Sequence, residues 1–98
     1  MPPRFVIREE AYAEVLEARA WYAGQAPGLD LEFARALDAA LAAAARAPEA
    51  YPVVEADIRR VLLRRFPYQV LFYREGDDLV VLACYHHRRD PRGWRSRR

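Results

Sequence analysis

The sequence has no lysine, threonine or asparagine, and only one serine (Ser96) and one cysteine (Cys84) among its 98 residues. Without lysine, neither a Schiff base nor a lysine general base is available for catalysis. A Ser-His-Asp arrangement would have to use Ser96 in an arginine-rich tail. One cysteine and 2 histidines cannot form a zinc site without carboxylate ligands. We therefore expect neither a metal ion nor a cofactor.

The single cysteine and the N-terminal segment bear on where the protein works. Cys84 lies inside the apolar run 79–85, which excludes a disulfide scaffold, fits a reducing compartment and is typical of a small core residue. Near the N-terminus only residues 5–7 are consecutively apolar, too few for a signal peptide or a membrane span. The sequence thus predicts a cytoplasmic protein that does not enter a membrane.

Arginine is the only type of basic residue apart from histidine, and its distribution is uneven. Residues 1–50 carry 5 arginines against 8 acidic residues, whereas residues 51–98 carry 11 arginines against 6. An anionic partner would therefore bind the C-terminal half. The alternative is that these arginines only keep a sheet and a frayed tail soluble.

The first half of the sequence predicts a short strand and a helical hairpin. Residues 5–7 (Phe-Val-Ile) are of strand type, and residues 9–25 then change to helical spacing. The segment 24–28 breaks this helix, and a second helix runs from about Leu29 to Pro48.

The two predicted helices are amphipathic. The stripes that follow helical spacing are Tyr12, Val15, Leu16, Arg19 and Tyr22 in the first helix, and Leu29, Phe33, Ala36, Leu37, Ala40, Leu41 and Ala44 in the second. A second stripe of the first helix, Glu10, Glu14 and Glu17, predicts a solvated acidic face. Trp21 and Tyr22 are expected to pack as core aromatics under the hairpin turn.

Three β-rich runs follow, at residues 58–65, 68–73 and 79–86, and turn-forming residues separate them. These runs predict an antiparallel meander, which with the N-terminal strand forms a sheet of about four strands. The expected fold class is α+β, with residues 1–98 forming a single domain that ends in a C-terminal arm at about 88–98.

Apolar side chains in the predicted strands point to both faces of the sheet, as the run 68–73 shows. A single helical hairpin can cover only one face of a sheet of this size. We therefore expect the other face to be exposed and to bind a partner.

Several stretches, taken in order, resemble the RelE/ParE toxin superfamily of bacterial type II toxin-antitoxin systems. They are residues 20–22 (Ala-Trp-Tyr), 27–29 (Pro-Gly-Leu), Phe33, 58–63 (Ile-Arg-Arg-Val-Leu-Leu), 65–68 (Arg-Phe-Pro-Tyr) and 86–94 (His-His-Arg-Arg-Asp-Pro-Arg-Gly-Trp). The order of a strand, a helical hairpin and a three-stranded meander is also similar to that superfamily. The resemblance covers nearly the whole chain.

The resemblance implies a small toxin that a cognate antitoxin neutralises in a hetero-oligomeric complex. In such complexes the C-terminal segment of the antitoxin wraps the helices and sheet of the toxin. ParE-like members inhibit DNA gyrase, and a ParD-like antitoxin of the ribbon-helix-helix type is the expected partner. RelE-like members instead cleave mRNA on the ribosome.

The antitoxin is expected to bind in a groove formed by the exposed sheet face and the second helix, whose alanines allow a close approach. The residues assigned to antitoxin binding are Leu37, Leu41, Ala44, Leu71, Tyr73, Val80 and Leu82.

For a nuclease, cleavage at a 2′-hydroxyl requires proton transfer and cations around the phosphate. Residues 84–87 (Cys-Tyr-His-His) are similar to the C-terminal His-Tyr region of YoeB-type nucleases. That similarity puts His86 at the catalytic histidine and His87 where that branch has a tyrosine. Arg65 and Arg89 are assigned beside it as the catalytic cations. However, residues 68–71 lack the arginine that nuclease members typically carry there. The alternative is that the histidines at the strand end anchor the tail.

A ParE-like toxin needs a presented binding surface rather than proton-transfer groups. The tail offers an aromatic anchor ringed by bidentate donors, namely Trp94 with Arg88, Arg89, Arg92 and Arg95. Residues 66–68 and 90–94 also look more like ParE-type chains. We therefore favour a gyrase inhibitor over a ribosome-dependent mRNA nuclease, and the third alternative is an inactive component of a complex.

Arg59 and Arg60 are neighbours on a predicted strand and should point to opposite faces of the sheet. At most one of them can face a basic site. We expect the other to pair with Glu55, Asp57 or an acidic residue of the hairpin.

Overall fold

Strands and helices follow one another largely as the spacing of the residues predicts. The computed structural model describes residues 4–89 and 91–98, and the side chains of Pro91 and Arg92 lie outside that description. The elements are β1 (Phe5–Ile7), α1 (Glu9–Gln25), α2 (Leu29–Arg46), a short 3-10 turn (Pro48–Ala50), β2 (Val53–Glu55), β3 (Ile58–Leu62), β4 (Tyr68–Glu75), β5 (Asp78–His86) and a C-terminal 3-10 helix (Pro91–Arg97).

The strands form one sheet in the order β1-β5-β4-β3-β2. β1 runs parallel to β5, and the other neighbours are antiparallel. The α+β class, the helical hairpin and the antiparallel meander are confirmed. The sheet has five strands instead of about four, because the short β2 after Pro52 pairs with β3 through Val53 opposite Arg59 and Glu55 opposite Ile58.

The turn between the helices depends on Gly28, the residue before α2. Its φ of 82° lies in the left-handed region, which a residue with a Cβ atom adopts only at a cost. Its carbonyl accepts hydrogen bonds from Leu31 and Glu32, so the first turn of α2 begins there.

The face that α1 buries differs from the predicted stripe. Ala11, Ala18 and the predicted Val15 and Tyr22 are buried, whereas Tyr12 and Leu16 are 54% and 47% exposed. The two buried alanines keep α1 close to β5, and the bulkier residues beside them point outward. The prediction for these two residues was wrong because it gave side-chain size more weight than close approach between elements.

The core between the helices and the sheet is built around aromatic rings. Phe33 is fully buried and lies within 5.2–5.5 Å, centroid to centroid, of Tyr22, Phe66 and Tyr68. On α2, Leu37, Leu41 and Ala44 face this core, as their helical spacing predicts. Aliphatic side chains of β4 and β5 complete this side of the sheet.

The other face of the sheet is not open, which corrects the expectation of an exposed apolar face. The C-terminal 3-10 helix lies over it, and Trp94, only 6% exposed, packs on the apolar side chains of that face. This second cluster consists of Ile58, Leu71, Tyr73, Val80, Leu82, Ala83, Tyr85 and Trp94. The tail therefore supplies the cover that the helices cannot.

Arg59 finds a partner other than the predicted carboxylates. Its guanidinium donates to the carbonyl of Tyr51 at 2.6 Å and to that of Glu49 at 3.4 Å. Glu55 and Asp57 pair with the tail instead.

Of the helices in the part of the chain described, none has the length and apolar content that crossing a bilayer requires.

Candidate functional site

A cavity of about 670 Å³ opens at the end of the sheet where β5 finishes. Its walls come from α1, the first turn of α2, the β3–β4 loop and the residues that follow β5. The lining side chains are Glu14, Glu17, Ala18, Trp21, Tyr22, Leu29, Glu32, Arg65, Phe66, Pro67, Tyr68, Cys84, Tyr85, His86, Arg88 and Arg89. We call it the β5 cavity.

The three residues predicted for a nuclease site, Arg65, His86 and Arg89, all line the β5 cavity. Arg65 lies in the β3–β4 loop with a φ of 70°, a left-handed conformation that is uncommon for a residue other than glycine. His86 is the last residue of β5 and pairs with Tyr68 across the sheet. Residues far apart in sequence thus converge on one site.

A backbone hydrogen bond holds the ring of His86. Its Nδ1 accepts the N–H of Arg88 at 3.1 Å, and the ring packs edge-on against Tyr68 with centroids 5.3 Å apart. With Nδ1 engaged as an acceptor, the neutral ring carries its proton on Nε2. In this arrangement Nδ1 of His86 is not free to act as a base.

The arginines of the cavity face carboxylates of the helices. Arg89 Nη2 lies 2.9 Å from Glu17 Oε1, a hydrogen bond that raises the pKa of Arg89 above its usual value. Arg65 Nη2 lies 4.0 Å from Glu32 Oε1. Glu14 and Arg88 complete a charged lining of three carboxylates and three arginines.

Glu14 corrects the prediction of a fully solvated acidic face on α1. Its side chain is only 18% exposed and forms an ion pair with Arg97 at 2.7 Å. It also accepts a hydrogen bond from the backbone N–H of Cys84 at 3.1 Å. This carboxylate ties α1, β5 and the C-terminal 3-10 helix together.

Burial favours the neutral forms of a thiol and two phenols at the cavity wall. Burial raises the pKa of the Cys84 thiol to about 12, and it also raises the pKa of the phenols of Tyr68 and Tyr85. A thiol in this state is a poor nucleophile. Among the described residues, no three His, Cys, Asp or Glu side chains are grouped to hold a metal ion.

The structure places the predicted target-binding residues of the tail in different settings. Trp94 is packed against the sheet, so the expectation of a presented aromatic anchor is wrong for this conformation. Arg95 pairs with Glu55 at 3.0 Å and lies over the ring of Trp94, with its guanidinium carbon 5.5 Å from the ring centroid, whereas Arg88 and Arg89 line the β5 cavity. The side chain of Arg92 lies outside the described part of the chain.

The residues predicted to bind an antitoxin are all buried within the chain. Leu37, Leu41 and Ala44 lie between α2 and the sheet, and the four sheet residues of the prediction lie on the face beneath the tail. In this conformation they do not line an open groove. Their role in binding a partner stays a prediction.

Trp21 is a candidate that the sequence interpretation assigned to the core. It is 58% exposed and stands at the β5 cavity with its ring edge-on to that of Tyr22 at 5.0 Å. Successive helical residues are rotated by about 100°, so once Tyr22 points inward its neighbour faces the side of the helix. Periodicity continued from Val15 and Ala18 would have detected this.

The comparisons with known proteins support the fold. No protein-family model matches this sequence, and the curated proteins give no match. Among solved structures, a chain described as the chromosomal ParDE TA system from P. aeruginosa is similar, with a TM-score of 0.74 and 15% sequence identity. The likeness covers 87% of this chain and 96% of that one. The RelE/ParE-like fold is therefore confirmed.

Proposed function

We propose that this protein is the toxin of a type II toxin-antitoxin pair and that a cognate antitoxin neutralises it. The observation that carries the proposal is the shared fold, which spans nearly all of a chain from a ParDE system. The complex is a hetero-oligomer, its antitoxin is ParD-like with a ribbon-helix-helix part, and both proteins act in the cytoplasm.

DNA gyrase is the proposed target, and the protein acts on it by binding. The carboxylates beside two of the cavity's arginines support this choice, because Glu17 lies beside Arg89 and Glu32 beside Arg65, whereas a site for an RNA phosphate would be expected to hold cations without carboxylate partners. Trp21 gives the cavity an exposed aromatic ring, and Arg88, which also lines the cavity, is exposed too. Tryptophan and arginine are the side chains on which protein interfaces most often depend.

A second candidate function, ribosome-dependent mRNA cleavage, is favoured by the convergence of Arg65, His86 and Arg89 in one cavity. The hydrogen bond to His86 Nδ1 weakens this candidate, because the ring cannot accept a proton there while keeping that bond. The ion pair between Arg89 and Glu17 weakens it further by occupying one of the two cations.

Expression of the chain alone in a bacterial host tests the proposal. We expect growth arrest, inhibition of gyrase supercoiling by the purified protein, and no cleavage of mRNA in a ribosome assay. Trp21→Ala should relieve gyrase inhibition, whereas His86→Gln should retain it, since glutamine keeps a side-chain donor near the same place. Circular dichroism of both variants checks that they fold.

The opposite pattern would replace gyrase by mRNA as the target. That pattern is mRNA cleavage by the parent chain, its loss in a folded His86→Gln variant, and unchanged gyrase activity. Absence of growth arrest with a folded chain would contradict the toxin function itself.

A further inference from the structure

The outer edge of β5 is only partly covered by β1. β1 pairs with residues 79–81 of β5, and the N–H of Arg8 adds a hydrogen bond to the carbonyl of Val81 at 3.0 Å. β5 continues to His86 and pairs with β4 along its other edge. Among the described residues, no strand lies beside residues 82–86 on the β1 side. Backbone groups that point to that side need partners from elsewhere.

Two side chains supply these partners. The backbone N–H of Cys84 donates to Glu14 Oε1 at 3.1 Å, and the carbonyl of Leu82 accepts from Arg97 Nη1 at 3.3 Å. The guanidinium of Arg97 also donates to both carboxylate oxygens of Glu14, at 2.7 and 3.2 Å. The pair thus presents an acceptor and a donor to the strand edge, as the peptide groups of a neighbouring strand would. We call Glu14 and Arg97 together the edge clamp.

The ladder of β5 is irregular where the edge clamp binds it. Val81 and Ala83 lie opposite the consecutive β4 residues 72 and 71, so Leu82 is left without a partner in β4. Such a β-bulge disrupts the ladder locally and bends the strand. The carbonyl that Arg97 bonds belongs to this extra residue. The edge clamp therefore holds β5 at the point where its neighbouring strands hold it least.

The end of β5 forms one wall of the β5 cavity. Residues 84–86 line the cavity, and the turn that follows adds Arg88 and Arg89. Glu14 reaches the cavity too, but Arg97 does not line it. Arg97 can therefore influence this wall only through its bonds to Glu14 and to the backbone of β5.

Stability alone does not account for the edge clamp. The side chains of Glu14 and Arg97 are only 18% and 19% exposed. Removing two charges from water costs about as much as their attraction returns, so apolar side chains of similar size could hold the tail as well. Apolar side chains could not satisfy the backbone groups at the edge of β5 or fix their direction.

We propose that the edge clamp is a positioning device for target binding, in which Arg97 acts through Glu14 and the edge of β5 to hold the cavity wall in the shape that the target requires. The inference rests on the proposed function, because it assumes that the target binds at the β5 cavity. It makes Arg97 a positioning residue and gives the C-terminal 3-10 helix a role in binding that needs no contact with the target.

Gyrase supercoiling assays with full-length variants test the edge clamp. Arg97→Met keeps much of the length of the side chain but removes its charge and donors, so the concentration for half-inhibition should rise by about tenfold. Arg97→Lys keeps the charge without the planar fork, and it should restore part of the loss. Circular dichroism establishes that each variant folds.

Arg98→Met is the matched control. Arg98 also ties the tail to the rest of the chain, but its guanidinium bonds Asp57 and not the edge of β5. The control should change the half-inhibition concentration by less than about twofold, because this pair is exposed. A loss equal to that of Arg97→Met would show that docking of the tail matters and not the edge clamp.

A double-mutant cycle separates positioning from direct contact, since Glu14 itself reaches the cavity. If the two residues act as one clamp, the Glu14→Gln, Arg97→Met double variant should lose no more inhibition than the larger of the single losses. Losses that add would mean that Glu14 meets the target independently of Arg97, and they would overturn the inference.

Hydrogen exchange at the N–H of Cys84 gives a readout that does not depend on the target. This amide should be protected in the parent chain and should exchange about tenfold faster or more in Arg97→Met, while the amides of α2 keep their protection. Faster exchange in α2 to the same degree would mean that the variant loosens the whole domain, which contradicts a local clamp.

The outcomes separate the inference from the proposed function. Gyrase inhibition that a folded Arg97→Met variant retains would overturn the edge clamp alone. A parent chain that spares gyrase but cleaves mRNA on ribosomes would overturn the proposed target, and the same variants are then compared in the cleavage assay, where full activity of Arg97→Met would overturn the clamp. A folded parent chain with neither activity would overturn both.

Discussion

The two faces of the sheet are covered in different ways. On one face, two helices of 17 and 18 residues bury an aromatic core centred on Phe33. On the other, a 3-10 helix of seven residues buries Trp94 over the side chains of β4 and β5. The first cover is regular secondary structure with its own backbone hydrogen bonds, whereas a 3-10 helix has poorer hydrogen-bond geometry and is seldom this long.

Side-chain ion pairs also hold the C-terminal 3-10 helix and the last residue of the chain in place. Arg97 pairs with Glu14, Arg95 with Glu55 and Arg98 with Asp57, and only the first of these pairs is largely buried. Trp94 Nε1 is buried and finds no acceptor among the described residues, which reduces the net gain from burying the ring. From this comparison we expect the tail to undock from the sheet before the helix-covered core unfolds.

The largest effect is expected for Phe33→Ala on the helix-covered face. The side chain is fully buried among three aromatic rings, so its removal should lower the free energy of unfolding by about 3–5 kcal/mol. Urea denaturation measures the change. Phe5→Ala is the matched control, since Phe5 is 41% exposed at the sheet edge, and a similar loss there would contradict the assigned core.

Trp94→Ala tests whether the tail is a separate unit. A buried tryptophan in a rigid core would cost as much as Phe33, but a tail that detaches limits the loss to its own docking, about 1–3 kcal/mol. Amides of the C-terminal 3-10 helix should then exchange hydrogen freely while α1 and α2 stay protected. An equal loss of protection in both helices would show that the two faces unfold as one.

Much of the fold follows from pattern alone. The stripe Phe33, Leu37 and Leu41 predicts the buried face of α2 because large apolar side chains at helical spacing have one favourable orientation. The same reasoning fails on α1, where Ala11 and Ala18 are inside and Tyr12 is outside. Alanine carries little hydrophobic signal, although its size decides how closely two elements pack.

The candidate site is harder to predict because its parts come from separate elements. His86 follows from a resemblance, whereas Arg65 and Arg89 follow from the need for cations at a phosphate. The meeting of all three in one cavity depends on the end of β5 reaching the β3–β4 loop. Composition could not reveal that arginines of the tail pair internally with Glu14, Glu55 and similar residues, since ion pairs between distant segments leave no periodicity. A run of arginines therefore resembled an open binding surface.

Glu14→Gln tests the ion pair between Glu14 and Arg97, the best-buried of the pairs that join the tail to the rest of the chain. Glutamine keeps the size of the side chain but leaves the guanidinium of Arg97 without its charge partner, so a loss of about 1–2 kcal/mol is expected. Glu17→Gln is the control, because its pair with Arg89 is more than half exposed and should contribute less than about 1 kcal/mol. Equal losses in chemical denaturation would contradict the special position of Glu14.

The smallest effect that we expect is weaker docking of the tail on the sheet at acidic pH. The guanidinium of Arg98 donates hydrogen bonds to Asp57 and lowers the pKa of that carboxyl below its ordinary value of 3.8. Because the pKa is lower in the folded state, the contribution of this pair is present above about pH 4 and is lost as the pH falls through the folded value. The fluorescence of Trp94, measured in a Trp21→Phe background since the chain has 2 tryptophans, reports whether the tail is docked. The Asp57→Asn variant should lose this part of the transition below about pH 4. Superimposable acid profiles for the two proteins would mean that Arg98 does not hold the tail to the sheet.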